Sequence, residues 1–156
     1  LTEDSKDQLL LIKLVGKQIT DWWDKVWYVM KSALPQEVDE PGLDIENNIL
    51  SSAIKGDLEI YFVMRGDEFI GVLAIKEEVE YISGTKNLLI YALAGVKPLT
   101  MEDWIVGLKE LNKIARIKLC SNIIAQTTNH QIIDTIKALG GQASWTLIKM
   151  GVTWNV

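Results

Sequence analysis

The unbroken apolar run Leu88-Leu89-Ile90-Tyr91-Ala92-Leu93-Ala94-Gly95-Val96 constrains this chain more than any other stretch. It is far shorter than the roughly 20 residues of a membrane-crossing helix and reads as a strand buried on both faces. The loop Lys97-Pro98-Leu99 leads into a strong helix start. Thr100 is placed as N-cap, Asp103 three residues on completes a capping-box pattern, and Glu102 lies in the first turn. Trp104, Leu108, Leu111, Ala115 and Leu119 then recur at helical spacing, and Asn122-Ile123-Ile124-Ala125-Gln126-Thr127 gives the next strand. Buried strand, helix, strand is a parallel crossover. The loop between the first strand and its helix is where such a unit takes a ligand. Residues 94–103 therefore concentrate the question of function.

The rest of the chain surrounds this unit. Residues 1–8 are polar, without apolar periodicity, and read as a tail before one domain over 9–156. Leu9–Val15 is a short strand ending at Gly16. A helix from about Thr20 carries Trp23, Val26, Met30 and Ala33 on one side and stops at Pro35. An acidic loop, 36–42, precedes a second helix with Ile45, Ile49, Ala53 and Ile54, closed by Gly56. Leu58–Met64 and Phe69–Ile75 form strands joined by a turn over Arg65-Gly66-Asp67-Glu68. The second of these runs on towards Tyr81, and Ser83–Lys86 turns into the Leu88 strand. After 122–127, Asn129 caps a helix with Ile132, Ile133, Ile136 and Leu139 on one side, ended by Gly140 and Gly141. Ser144–Met150 reads as a last strand.

Charge and cysteine content remove whole classes of function. The net charge of −5 lacks the positive field of a protein built for phosphate backbones, so no nucleic-acid partner is expected. No apolar run is long enough for a membrane span, so no membrane partner is expected. The single Cys120 cannot form an internal disulfide, which fits a reducing compartment such as the cytoplasm.

The order strand, helix, helix, three strands, helix, strand, helix, strand resembles the GNAT fold of N-acetyltransferases. That is a single α/β domain with a mixed, mostly antiparallel sheet and helices on both faces. Asn129 opening a helix that Gly140 closes resembles the frame of the family's final helix. Trp104 to Leu119 resembles the helix after its pyrophosphate loop. The short end after Gly140 and the Trp-rich first helix look most like the divergent acetyltransferase-like proteins of tailed phages. That resemblance implies a virion or assembly component made in bacterial host cytoplasm. It also implies an acetyl-CoA site at Leu93, Ala94, Gly95, Val96 and Lys97, with Asn129. In the family, a Gln/Arg-x-x-Gly-x-Gly/Ala loop gathers backbone N–H groups round the pyrophosphate at a helix N-terminus.

The sequence departs from that pattern. Gly95 stands alone, Pro98 removes a donor, and Glu102 and Asp103 put carboxylates where phosphates would sit. Lys97 alone favours an anion. The position of the family's thiolate-protonating Tyr is Ile136, and its Phe after the glycine is Gly141. The run 88–96 holds no catalytic Glu. Glu77, Glu78 and Glu80 lie near the preceding turn as water-mediated bases or, more simply, a solvated acidic stretch. Catalytic residues are thus not assigned. His130 reads as an exposed first-turn residue, Cys120 as a buried inert thiol, and Arg65-Gly66-Asp67 as turn chemistry rather than an adhesion motif.

Two functions of different class remain. One is a protein with a degenerate acetyl-CoA site, no cofactor and no catalysis, acting through a protein partner or a second copy. The other is an active acetyl-CoA-dependent N-acyltransferase with an unusual pyrophosphate loop. The first helix bears on the partner. With Ile19 as reference, Trp23 and Trp27 fall at about 40° and 80° on one side, Trp22 and Val29 at about 60° and 80° on the other. The apolar arc of about 160° exceeds the roughly 100° one buried face needs. Either the second helix covers the excess, or Trp22 and Trp27 lie at a partner interface.

Overall fold

The computed structural model describes residues 8–35, 37–38, 40, 42–145 and 147–152. The tail over 1–7 and part of the acidic loop (Gln36, Asp39, Pro41) lie outside the described residues. The chain divides into two compact units, one ending at Gln126 and the other starting at Thr127.

The first unit is a five-stranded sheet in the order β1-β2-β3-β4-β5. Its strands are β1 (Leu9–Lys13), β2 (Glu59–Arg65), β3 (Glu68–Glu80), β4 (Thr85–Gly95) and β5 (Asn122–Ala125). The first four pair antiparallel and β5 pairs parallel with β4, from Asn87 opposite Asn122 to Ile90 opposite Ala125. Strand alternation sends successive side chains to opposite faces. Ile60, Val72, Ala74, Ala92 and Ala94 meet the first helices on one face. Tyr61, Val63, Leu73, Ile75 and Leu88 meet the crossover helix on the other. That double burial is why β3 and β4 are almost wholly apolar through the middle.

The helices α1 (Lys17–Asp21), α2 (Trp23–Met30) and α3 (Ile45–Lys55) cover the first face. The helix expected from Thr20 to Pro35 is in fact two helices separated at Trp22, followed by a tight turn over Lys31–Ala33. Trp22 closes α1 by donating to Gln18 O at 3.0 Å and opens α2 by accepting from Val26 at 3.0 Å. Asp44 caps α3, and Gly56 ends it in the left-handed region at φ 84°. On the other face α4 (Met101–Ile117) packs Leu111 and Ala115 onto the sheet. The apolar stripe expected to run to Leu119 stops short. The helix ends at Ile117, and Leu119 is 83 % exposed at φ 58°.

Two bulges interrupt the ladder. Val63 pairs with Gly71 and Met64 with Phe69, which leaves Ile70 as the extra residue of β3. Ala74 pairs with Ala92 and Ile75 with Ile90, which leaves Tyr91 as the extra residue of β4. Gly71 lies opposite Gly95, and a Cβ on Gly71 would stand 2.5 Å from the Ala94 carbonyl oxygen. The two backbones approach too closely there for any side chain.

The second unit holds α5 (His130–Ala138). Asn129 Oδ1 accepts from the N–H of Gln131 and Ile132, as the sequence suggests. The strand expected over Ser144–Met150 is a correction. None of its described residues, which exclude Thr146, is in a strand. Trp145 and Ile148 are 95 % and 86 % exposed. An apolar alternation alone does not fix β-structure, because a strand needs a partner to satisfy its backbone.

Gly71→Ala is expected to lower unfolding stability by about 1–3 kcal/mol, because the β3–β4 pair must separate to admit a methyl group. Urea denaturation of the two proteins measures it, and an unchanged midpoint would mean that the strands part freely at this point.

Candidate functional site

The loop between β4 and α4 is built by its own hydrogen bonds. Gly95 is required because a Cβ there would meet the Lys97 carbonyl oxygen at 2.9 Å. Val96 donates its N–H to Ile70 O at 2.9 Å, one step beyond the Gly71–Gly95 pair in the same β3–β4 register. Pro98 has no N–H to offer. Thr100 N–H donates to Asp103 Oδ2 at 2.9 Å, and Asp103 N–H donates to Thr100 Oγ1 at 3.1 Å. The capping box read from the sequence is therefore complete.

Its acidic member does more than cap. Asp103 is 5 % exposed, the one buried charged residue among the described residues. Its Oδ2 accepts from the Arg65 guanidinium in an ion pair, and the same Arg65 nitrogen donates to Pro98 O at 3.4 Å. Burial pushes the Asp103 carboxyl up, but the bonds from Arg65 and Thr100 outweigh it and hold the group below the ordinary aspartate value. Lys97 forms an ion pair with Glu68. The turn between β2 and β3 thus grips the loop with one residue of each sign.

These contacts revise two expectations. Asp103 does not stand out as a free carboxylate facing an anion, because its charge is turned inward and neutralised by Arg65. Lys97 is not a free cation either. Leu93, Ala94, Gly95, Val96 and Lys97 follow one another along the end of β4 and into the loop. Leu93 is half-buried, Ala94 is buried, and Gly95, Val96 and Lys97 are exposed. Asn129 lies in the second unit, where its side chain is engaged as the cap of α5. Arg65 of the Arg65-Gly66-Asp67 tripeptide is committed to Asp103, which agrees with a structural reading of that turn.

Beyond Ile90, β4 has no β5 partner, and Tyr91 bulges at that point. Tyr91 is half-buried against the first-face core. Burial, and then the charge of Glu37, raise its hydroxyl above the ordinary tyrosine value, so it is a proton holder at neutral pH. Nothing in the residue pattern marks it, since an unbroken apolar run conceals which residue bulges. Towards the Thr85 end of β4 there is a cleft of about 570 Å³, lined by Ile49 and Ser52 of α3, by Asp57–Glu59, and by Glu77, Tyr91 and Lys118. Glu59 there accepts from Lys118 at 2.7 Å, Lys13 at 3.1 Å and Tyr61 at 3.0 Å. Burial raises the Glu59 carboxyl, but these three donors together leave it below its ordinary value.

The remaining candidates are accounted for. Glu77 pairs with Lys86 at 3.3 Å, and Glu80 accepts from the N–H of Ile82 and Ser83. Hydrogen bonds from Ser83 hold Glu80 low, which makes it a poor base. Glu78 and His130 are exposed. Cys120 is half-buried with its thiol raised by burial, which suits an inert role. Among the described residues no group of three or more His, Cys, Asp or Glu could hold a metal, and no helix is long and apolar enough to cross a membrane. Trp27 stacks on Trp23 with ring centroids 6.1 Å apart and packs half-buried against its own core. Trp22 is 47 % exposed.

No protein-family model and no curated protein matches the sequence. Solved structures do match. An aminoglycoside acetyltransferase from an uncultured soil metagenomic sample, in complex with sisomicin, superposes with a TM-score of 0.67 at 11 % identity, covering 99 % of this chain and 100 % of that one. A predicted acetyltransferase from Clostridium acetobutylicum, solved with acetyl-CoA, gives 0.62 at 16 % identity over 92 % and 96 % of the two chains. A GNAT family acetyltransferase of Staphylococcus aureus gives 0.58 at 10 % identity over 93 % and 99 %. The chain has the GNAT fold, an α/β architecture with a mixed, mostly antiparallel sheet and helices on both faces.

Asp103→Asn is expected to cost about 1–3 kcal/mol near pH 6, where the ion pair with Arg65 is intact. The folded-state value of Asp103 lies below its unfolded value. Its contribution is therefore complete above the unfolded value and disappears as pH falls through the folded one. Thermal melts should show the gap between wild type and variant closing as pH is lowered beneath the ordinary aspartate range. A gap constant with pH would remove the ion pair as its cause.

Proposed function

We propose that this GNAT-fold protein does not use acetyl-CoA and acts through contacts with other proteins. The observation that carries this reading is the internal commitment of the loop before α4. Several of the amides and charges that would receive a pyrophosphate are engaged within the chain. Val96 N–H serves Ile70, Thr100 N–H serves Asp103, Pro98 has none, and the Lys97 ammonium is paired with Glu68. Glu102 adds an exposed carboxylate in the first turn of α4, where a phosphate would have to approach. Solvent-facing Trp22, Tyr28, Tyr81 and Ile82 support a role in protein contacts. A phage virion or assembly component is the setting that the sequence resemblance supports.

A second reading has its own observation. β4 parts from β5 beyond Ile90, and Tyr91, with its hydroxyl held protonated, bulges at that point. In an active N-acyltransferase, Tyr91 would be placed to give its proton to the departing thiolate of acetyl-CoA while an amine takes the acetyl group.

Calorimetric titration with acetyl-CoA separates the two. No saturable heat is expected from the intact protein. Saturable binding in the micromolar range that weakens in Lys97→Ala would overturn the non-catalytic reading. In that event a fall in amine acetylation in Tyr91→Phe, with binding unchanged, would identify the proton donor.

A further inference from the structure

Lys25 is placed unusually for a surface lysine. Its Nζ lies 4.0 Å from the ring centroid of Phe69 and 5.7 Å from those of Trp22 and Phe62. A single cation–ring contact of this kind occurs about once per 70–80 residues in folded proteins. Three rings converging on one ammonium form an enclosure. Trp22 and Phe62 meet edge to face at 78° with centroids 5.7 Å apart, and Phe62 and Phe69 at 75° with centroids 5.1 Å apart. The middle ring is therefore nearly perpendicular to both neighbours, and the ammonium is within reach of all three.

Local sequence offers Lys25 another partner. Asp21 precedes it by four residues, although it closes α1 whereas Lys25 is on α2. No ion pair of Lys25 occurs among the described residues. The head group rests on the rings instead. The walls are held by separate elements of the first unit. Phe62 is on β2, Phe69 on β3, and Trp22 at the junction of α1 and α2. Phe62 and Phe69 are half-buried against the core. Trp22 is half-exposed and Lys25 is exposed, so the enclosure is open to solvent.

We propose that Trp22, Phe62 and Phe69 form an aromatic cage for a methylated ammonium group, and that Lys25 is the occupant the chain supplies in its absence. The ring faces carry the negative part of each aromatic quadrupole and favour a cation over a neutral group of the same shape. A lysine ammonium has three N–H donors that rings satisfy poorly, so it must keep water on its open side. A quaternary ammonium has no such donors to leave unpaired, and its methyl groups pack directly on the rings. It therefore gains more from the enclosure than Lys25 does, and Lys25 can swing out into solvent without leaving a broken ion pair. The net charge of −5 favours the approach of a cation. The ligand chemistry is a trimethylammonium head, carried by a small choline-like molecule or by a methylated lysine of another protein. This site is independent of how the loop before α4 is read.

Proton NMR of the ligand methyl groups tests it, since ring currents shift methyls held against aromatic faces. Choline and a trimethyl-lysine peptide are titrated into wild type, Lys25→Ala and the double variant Lys25→Ala/Trp22→Ala. The neutral isostere 3,3-dimethylbutanol is the control. Lys25→Ala is expected to bind the cations about tenfold more tightly than wild type, because the internal competitor is gone, and the double variant is expected to lose binding. The neutral isostere is expected to bind about tenfold more weakly than choline in wild type and in Lys25→Ala. Tighter binding of choline identifies a small molecule as the source, and tighter binding of the peptide identifies a protein. Equal binding of choline and its neutral isostere to wild type would overturn the proposal without any variant. So would an absence of saturable binding to folded Lys25→Ala.

Discussion

Asp103 and Arg65 fix how the loop is joined to the sheet. One carboxylate closes the capping box of α4, neutralises a guanidinium, and through that guanidinium ties the β2–β3 turn to the carbonyl of Pro98. A buried carboxylate is tolerated only when charge and hydrogen bonds compensate for lost water, and here both are supplied. Val96 N–H, Thr100 N–H and the Lys97 ammonium also have partners within the chain, so the loop is tied to the sheet and to its own helix at several points.

The sheet that carries this loop is shaped by two displaced residues. Ile70 bulges from its pairing with β2, while on the β4 side its carbonyl accepts from Val96 and anchors the start of the loop. The bulge at Tyr91 coincides with the end of the β4–β5 pairing. Bulges add twist and re-aim side chains, and this one sets Tyr91 and Ala92 in succession on the first face, so that Ala92 and Ala94 lie opposite Leu88. Between them Gly71 and Gly95 let two backbones approach more closely than side chains permit.

In the second unit, Ile136 and Gly141 depend on each other. A Cβ on Gly141 would lie 2.3 Å from Ile136 Cγ2 and 3.0 Å from its carbonyl oxygen. The glycine also lets its N–H close on Ile136 O at 2.8 Å, after Gly140 has turned the chain through φ 91°. The end of α5 is thus a self-contained C-terminal closure.

What the sequence determined by itself was whatever depends on neighbours within about four residues or on simple periodicity. Thr100 with Asp103, Gly56 after α3 and Asn129 before α5 could all be placed, because caps and left-handed stops are local chemistry. The twice-buried β4 and its parallel partner were equally legible, because a continuous apolar run has few other uses. The limits of that logic appear at Ser144–Met150, where alternation suggested a strand that its described residues do not form, since a strand exists only with a partner. Tertiary structure alone decided which distant charges meet. Arg65 and Asp103 are 38 residues apart, and whether they touch is set by sheet register and by where α4 begins. It also decided that Tyr91 and Ile70 bulge, because a one-residue slip leaves no mark in a run that is apolar throughout. The same holds for Lys25, which has a carboxylate four residues before it yet rests on three aromatic rings. Two of those rings belong to strands that its own helix meets only in the folded chain.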